Sequence, residues 1–309
     1  MSVSMRAAAI DAFGLPEVLT VRSMRRPDPQ EDEVLVRVMA AGVQRTDAAI
    51  RSGWTPPGAT IQFPQILGNE FAGVIEKVGA GITGFASGDA VLGFRVLDCY
   101  AEYVAVPASQ IVPKPGGMPW EEAGALSASG QTAHTAIEAL GIGEGDTVLV
   151  HGAAGGVGTI FTQLAVWAGA RVVGTAGAAN QDYVRALGAD PVVYGDGQLD
   201  RIRALAPAVD VAFDAAGHDN LRDAIHLVED RRRVATIVDM QLAGELRCRV
   251  IRSQRSAERL ATLAALTGAA RLRVHVRRIY ALDEVADAHR EVETGHGRGK
   301  VVLSIGDAR

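Results

Sequence analysis

The sequence predicts an α/β protein in which a doubly wound parallel sheet stands beside an irregular, mostly antiparallel barrel. Three observations predict it. A short apolar run, TVLVH, feeds into a glycine-dense turn, and the stretch from Thr159 to Ala170 that follows is apolar at helical spacing. From about Trp120 to Ala270, helix-patterned segments alternate with short β-branched runs, the signature of parallel strands joined by crossover helices. From Met5 to about Pro115 the runs are instead short and alternating, and Gly and Pro punctuate them.

Taken in order, MRAAAI, EVLVRVMAAGV, EFAGVIEKVG, DAVLGF and AEYVAV read as the strands of the first part. In the middle part the strands are TVLVHG, RVVGT, PVVY, VDVAFDAAG and RRVATIV, with helices between them. The tail, from about Leu272, carries one helix pattern, LDEVADAHREVETG, and a last strand, KVVLSI. An antiparallel part, a parallel part and a short return do not make one layer. Two domains with a ligand cleft are therefore expected, with residues 1–120 and 272–309 in one and 121–271 in the other.

The stretch from Thr147 to Gly158, TVLVHGAAGGVG, has the layout of a dinucleotide-binding strand, turn and helix. Read as G-x-G-x-x-G, it has Ala153, Gly155 and Gly158 at the three positions. Gly155 lets the backbone approach a pyrophosphate, and Gly158 lets the helix pack on the strand. The amides of Gly155, Gly156 and Val157 then face the phosphates at the positive end of the helix. The next strand ends in Gly174, Thr175, Ala176 and Gly177, with no acid before Asp182. A carboxylate there would hold the ribose hydroxyl of NAD and repel a 2′-phosphate, so its absence points to NADP(H), with Thr175 and Asn180 as donors. The charge complement is thin, since no Lys or Arg occurs between the motif and Arg185 except Arg171 at the start of the strand.

A net charge of −5 argues against a nucleic-acid partner, and the basic stretches Arg231–Arg233 and 271–278 read as solvated faces. Two cysteines, Cys99 and Cys248, exclude a disulfide framework and a four-cysteine zinc site. The N-terminus lacks a signal-peptide pattern, and no apolar run approaches the roughly 20 residues that span a bilayer. A cytoplasmic location is expected.

Several ordered segments then carry a resemblance. AAGVQRTDAAIRSG, LGNEFAGVI, YAEYVAV, GQTAHTA, HGAAGGVG, the Gly174–Thr175 pair and GHGRGKVVL together make the chain resemble the zinc-independent quinone oxidoreductase branch of the medium-chain dehydrogenase/reductase superfamily, over essentially its whole length. The resemblance implies a GroES-like catalytic domain, a Rossmann cofactor domain and a homodimer. It also bears on metal content. The zinc alcohol dehydrogenases carry a Cys where this chain has Gln44 and a His where it has Asn69, next to Glu70, and the lobe of clustered cysteines is missing. A catalytic zinc needs three protein ligands and an open position, so no metal is expected.

Without a Lewis acid, a conjugated acceptor is the easier substrate. Hydride addition to a quinone or an α,β-unsaturated carbonyl gives a delocalised anion that a few donors stabilise. The resemblance puts Gln44 and Asp47 at the cleft floor and Thr132 near the nicotinamide. Gln44 would hold the carboxamide or the substrate oxygen. Asp47 has two readings, a catalytic group or a buried structural carboxylate. Many relatives place a Tyr just after the segment corresponding to IRSG, where this chain reads IRSGWTPPG and has Thr55. A threonine hydroxyl is a far weaker acid, leaving water as the proton source and Thr55 as an orienting group. Trp54 either stacks on a flat substrate or packs the cleft.

The remaining residues have competing readings. Tyr194 meets the adenosine phosphate or packs a sheet edge. Ala216 and Gly217, beyond Asp214 at the carboxyl end of a predicted strand, approach the cofactor by backbone. Lys300 reaches an anion of cofactor or substrate, or is solvated. Cys99 and His134 read as core residues, and His151 as a residue that orders the turn. Three functions remain open: an NADPH-dependent quinone reductase, an enoyl reductase acting on an α,β-unsaturated ketone or ester, and a non-catalytic NADPH-binding protein.

Overall fold

In a computed structural model, which describes residues 3–306, the chain divides into two compact units. Chain up to Ala128, Ser256–His296 and the chain from Lys300 onward form the first, and Ser129–Arg255 with Gly297–Gly299 form the second.

The second unit is built on a six-stranded parallel sheet. Its order is Asp190–Val193, Arg171–Ala176, Thr147–His151, Val211–Asp214, Val234–Thr236, Arg249–Val250. The strand that leads into the glycine turn is the third from one edge, and the chain steps outward from it first one way and then the other. That is the order of the doubly wound nucleotide-binding sheet, whose ligands sit at the carboxyl ends where the direction reverses. Val148, Leu149 and Val150 are fully buried in a row because helices cover both faces of a parallel sheet. The helix Gly156–Trp167 buries Ile160, Phe161, Leu164 and Ala165 on one face, and Phe161 stacks on Phe213 with ring centroids 4.2 Å apart.

Two segments differ from expectation. RRVATIV opens as a 3₁₀ turn, Arg231–Arg233, before the short strand Val234–Thr236. The arginines are spent there locally: Arg233 makes two 2.9 Å bonds to Asp146, and Arg232 pairs with Asp230. The sixth strand, Arg249–Val250, is two residues long and leaves no periodicity to read.

In the first unit the strand Glu33–Val43 is the spine. It pairs antiparallel with Glu70–Val78, with Tyr103–Pro107 along its first half and with Lys300–Ser304 along its second. Register shifts between Leu35 and Val36 and between Val38 and Ala40 bend it, the usual way a strand curves into a barrel. A smaller sheet, Thr20–Arg25, Ser4–Ile10, Gln65–Ile66, stands beside it. The tail adds a strand to the helix and last strand expected there, since Val276–Ala281 runs parallel to Lys300–Ser304. The helix Val285–Glu293 makes that crossover and buries Val285, Ala288, His289 and Val292 at helical spacing.

Candidate active site

In the second unit the turn is made by close approach rather than by side chains. Gly152, just before the first motif position, takes the left-handed conformation with φ +78°, and a Cβ on it would stand 3.1 Å from Ala216. Ala153 is fully buried, and its amide bonds Thr175 O at 3.0 Å. Gly155 caps the helix Gly156–Trp167, so the amides of Gly156 and Val157 lie in its first turn, where no intrahelical carbonyl is available. A Cβ on Gly158 would fall 2.1 Å from Gly152 O, which is why the helix start seats so deeply. Half-buried residues whose amides open a helix N-terminus fit a pyrophosphate.

Around this turn the residues singled out from sequence divide. Tyr194 is half exposed, its amide bonds Ala176 O, and its ring lies 3.5 Å from a Cβ placed on Gly177. Asn180 ends the 3₁₀ turn Ala178–Asn180 just beyond. Ala176, Gly177, Asn180 and Tyr194 thus gather at the carboxyl ends of two neighbouring strands. Thr175 does not join them. It is buried, its Oγ1 accepts from Gly152 N at 3.3 Å, and it meets His151 Nδ1 at 3.3 Å. Its hydroxyl braces the turn, which corrects the expectation of a phosphate donor. Asp214 organises the opposite loop: its Oδ1 accepts from the amides of Ala216 and Gly217 at 3.0 and 2.9 Å, and its Oδ2 accepts from Thr236 Oγ1 at 2.8 Å. The amides of Ala216 and Gly217 are therefore taken by Asp214, and Gly217 O accepts from Asn220 N at 3.3 Å. Thr132 is half-buried in the helix Ser127–Leu140, which spans the division between the units.

The structure adds a cation that the sequence reading missed. Gly299 N donates to Ala154 O at 2.8 Å, laying residues 297–299 on the glycine turn. Arg298 then stands over the ring of Tyr183 at 5.2 Å, and Tyr183 Oη lies 3.0 Å from Thr159 Oγ1. GHGRGK contains that arginine, but only the tertiary fold brings it to the turn.

In the first unit two buried carboxylates organise the segment that includes Gln44. Glu70 is fully buried; its Oε1 accepts from Gln44 Nε2 and, at 2.9 Å, from Lys300 Nζ, and its Oε2 accepts from Ala128 N at 2.6 Å. Gly42 leaves room for it, since a Cβ there would stand 2.0 Å from Glu70 Oε1. Lys300 is buried as well, so its ammonium is spent inside the unit, correcting the expectation that it reaches a cofactor or substrate anion. Donating to the Glu70 carboxylate fixes the Gln44 amide with its NH₂ toward Glu70 and its carbonyl oxygen turned the other way.

Asp47 is also fully buried and accepts three hydrogen bonds: from Asn69 Nδ2 at 2.8 Å, Tyr100 Oη at 2.8 Å and Gln44 N at 2.9 Å. Burial pushes its pKa up to about 6 against these donors. With no oxygen facing solvent, it fits the structural reading; the catalytic one lacks a surface to act through. Thr55 lies exposed on the loop after the helix Arg45–Arg51. Cys99 is buried in the barrel core, His134 is half-buried beside Glu138 rather than in a core, and His151 is fully buried, its pKa lowered to about 4 by burial. Among the described residues no three His, Cys, Asp or Glu side chains gather as a metal site, and no helix is long and apolar enough to cross a membrane.

A glycine turn open to a dinucleotide, on a sheet of this order, defines a nicotinamide-dependent oxidoreductase class when it shares a chain with such a barrel. Comparison with known proteins agrees. Residues 30–116 match the alcohol dehydrogenase GroES-like domain family and residues 187–303 the zinc-binding dehydrogenase family. The chain is 32% identical to a quinone oxidoreductase of Lama guanicoe, over 97% of this chain and 98% of that protein. It is 29% identical to the chloroplastic NADPH-dependent alkenal/one oxidoreductase of Arabidopsis thaliana, over 97% of this chain and 79% of that one. The solved quinone oxidoreductase of Coxiella burnetii superposes with a TM-score of 0.88 at 29% identity, covering 98% of this chain and all of that one. The chain belongs to the quinone oxidoreductase branch of the medium-chain dehydrogenase/reductase superfamily. It is an oxidoreductase of a family that uses a nicotinamide cofactor on small-molecule substrates.

Proposed function

We propose that the protein reduces a conjugated carbonyl acceptor, a quinone or an α,β-unsaturated ketone or ester, with NADPH and without zinc. The observation that carries this reading is the Glu70 network. Where a zinc site would be expected, Gln44 is an amide donating to Glu70, Asn69 is an amide donating to Asp47, and Lys300 Nζ lies 2.9 Å from the Glu70 oxygen. A divalent cation there would face an ammonium and two poor ligands, so the donor set does not fit zinc.

A reduced nicotinamide dinucleotide, held by its pyrophosphate at the glycine turn, would supply the hydride. The chain's own residues hold and orient. Gly155, Gly156 and Val157 take the pyrophosphate; Ala176, Asn180 and Tyr194 line the adenosine end, and Arg298 brings the positive charge that a 2′-phosphate needs. The absence of an acid at the end of Arg171–Ala176 supports NADPH over NADH in the same way. Thr132 would lie near the nicotinamide, Ala216 and Gly217 would approach the cofactor by backbone, and in the first unit Gln44 would offer its side-chain amide to a ligand. Thr55 orients the acceptor while water returns the proton. The first unit serves the acceptor and the second the cofactor, in a cytoplasmic homodimer.

The alkenal/one and quinone oxidoreductases among its relatives support both acceptor classes. The test is oxidation of NADPH and NADH by EDTA-treated protein, with an ortho-quinone and an aliphatic enone in parallel. Turnover of either acceptor with a higher kcat/KM for NADPH is expected. Binding of NADPH with no turnover of any acceptor would replace this reading with that of a non-catalytic NADPH-binding protein.

A further inference from the structure

The loop that carries Thr55 has a composition the reading above does not use. From Ser52 to Pro64, before the chain turns inward at Gln65, it contains no Asp, Glu, Lys or Arg, in a chain that is 22% charged. A solvated loop of that length ordinarily carries several charges. Instead Trp54 is 47% exposed and Phe63 45% exposed, and Phe13, from the equally uncharged stretch Ala12–Pro16, is 42% exposed.

These rings are arranged. Phe13 meets Phe63 edge to face, with centroids 5.2 Å apart and planes at 74°. Phe13 also lies over Gly53, 3.8 Å from where a Cβ would stand, and Gly53 has φ +113°, a turn that a side chain would strain. Trp54 and Thr55 directly follow the glycine that Phe13 covers, and Trp54 N is tied back to Ala49 O at 2.9 Å. Pro56, Pro57 and Pro64 limit how far the loop can rearrange, so the rings stand preorganised.

We propose that Phe13, Trp54 and Phe63 seat the carbon body of the acceptor, so that the enzyme selects uncharged acceptors bearing an aryl or similarly flat apolar group over small or anionic ones. The proposal rests on the reduction of a conjugated carbonyl argued above. A flat apolar group gains by covering exposed ring surface and by edge or face contact with the rings. A carboxylate brought to the same place loses water and finds no cation in the loop. Three rings are far fewer than the roughly 20 residues a side of a stable protein interface. The loop also lacks the Lys and Arg that hold a protein on an anionic lipid surface.

The experiment compares wild type, F13S/F63S and W54S on enones with a methyl, a phenyl or a para-carboxyphenyl group on the β carbon. The wild type should prefer the phenyl enone to both others in kcat/KM, and the phenyl-to-methyl ratio should fall about tenfold in F13S/F63S. Calorimetric binding of benzylacetone, the saturated ketone, should weaken in the same variants. An unchanged ratio, or a preference for the carboxylate, overturns the proposal. So does a change of oligomeric state in the variants, which would make the face an interface between copies. If wild type reduces none of the enones, the conjugated-carbonyl reading fails by itself. Benzylacetone then decides the seat, with variant-sensitive binding upholding it and absent or unaltered binding rejecting it.

Discussion

The glycine turn of the second unit and the Glu70 network of the first are both tight, for opposite reasons. The turn works because side chains are missing: a methyl group at Gly158 would stand 2.1 Å from Gly152 O. The network works because charged groups are present and matched, with Glu70 buried against an ammonium and two N–H donors. One region fails when an atom is added and the other when a partner is removed. The glycine turn is thus set by backbone shape, whereas the segment carrying Gln44 is held by electrostatic pairing, and each can be broken in its own way.

The largest effect should come from Lys300→Met, which strands a buried carboxylate. A loss of about 3–5 kcal/mol in urea unfolding is expected, and adding Glu70→Gln should recover most of it, because the pair is then neutral. Gly158→Ala should cost about 1–3 kcal/mol through overpacking. Gly155→Ala sharpens the contrast, since its Cβ would meet only Gly152 O at 3.3 Å. It should cost less than about 1 kcal/mol while weakening NADPH binding, measured by calorimetry beside the unfolding curve.

Acid should also separate the two regions. Burial lowers His151 from 6.5 to about 4, so the unfolded chain takes up its proton first as pH falls. The second unit's stability is then complete above pH 6.5 and declines toward pH 4, by about 1.4 kcal/mol per pH unit within the window. His289 in the first unit, lowered to about 3 by burial, has the same sign. Asp47, raised from 3.8 to about 6, has the opposite one: between those values the folded state holds the extra proton, and stability falls as pH rises. The first unit should change little from pH 6 to pH 4. Hydrogen exchange at pH 7 and pH 5, corrected for intrinsic rates, should show protection falling in the second unit, and His151→Gln should remove most of that fall. The smallest effect is at Arg298, where Arg298→Gln should reduce the ratio of Kd for NADH to Kd for NADPH about fivefold, the scale of one partly solvated ion contact.

How much of this was legible follows from how local each signal is. The turn, the alternation of helix and strand and the spine Glu33–Val43 were readable because turn chemistry and periodicity lie within a dozen residues. Gly152 was harder: a three-position motif does not say which neighbour takes the left-handed φ. The roles of Asp47 and Lys300 were not legible, since Tyr100, Asn69 and Glu70 reach them from distant strands; Lys300 and Glu70 are 230 residues apart. Thr175 looked like a donor because its strand end was right, and only the fold shows its hydroxyl turned toward His151. Arg298 lay in a motif already noticed, one glycine away from the lysine that drew the attention.

In the proposed reaction an ammonium and two amides stand where zinc would be needed, so metal content and reactivity are measured on the same protein. Protein stripped with a chelator, assayed for metal and then for single-turnover NADPH oxidation with a conjugated acceptor, should hold no stoichiometric zinc and react at an undiminished rate, with no gain when zinc is restored. Loss of the reaction on stripping, and its return with one zinc per chain, would contradict the account.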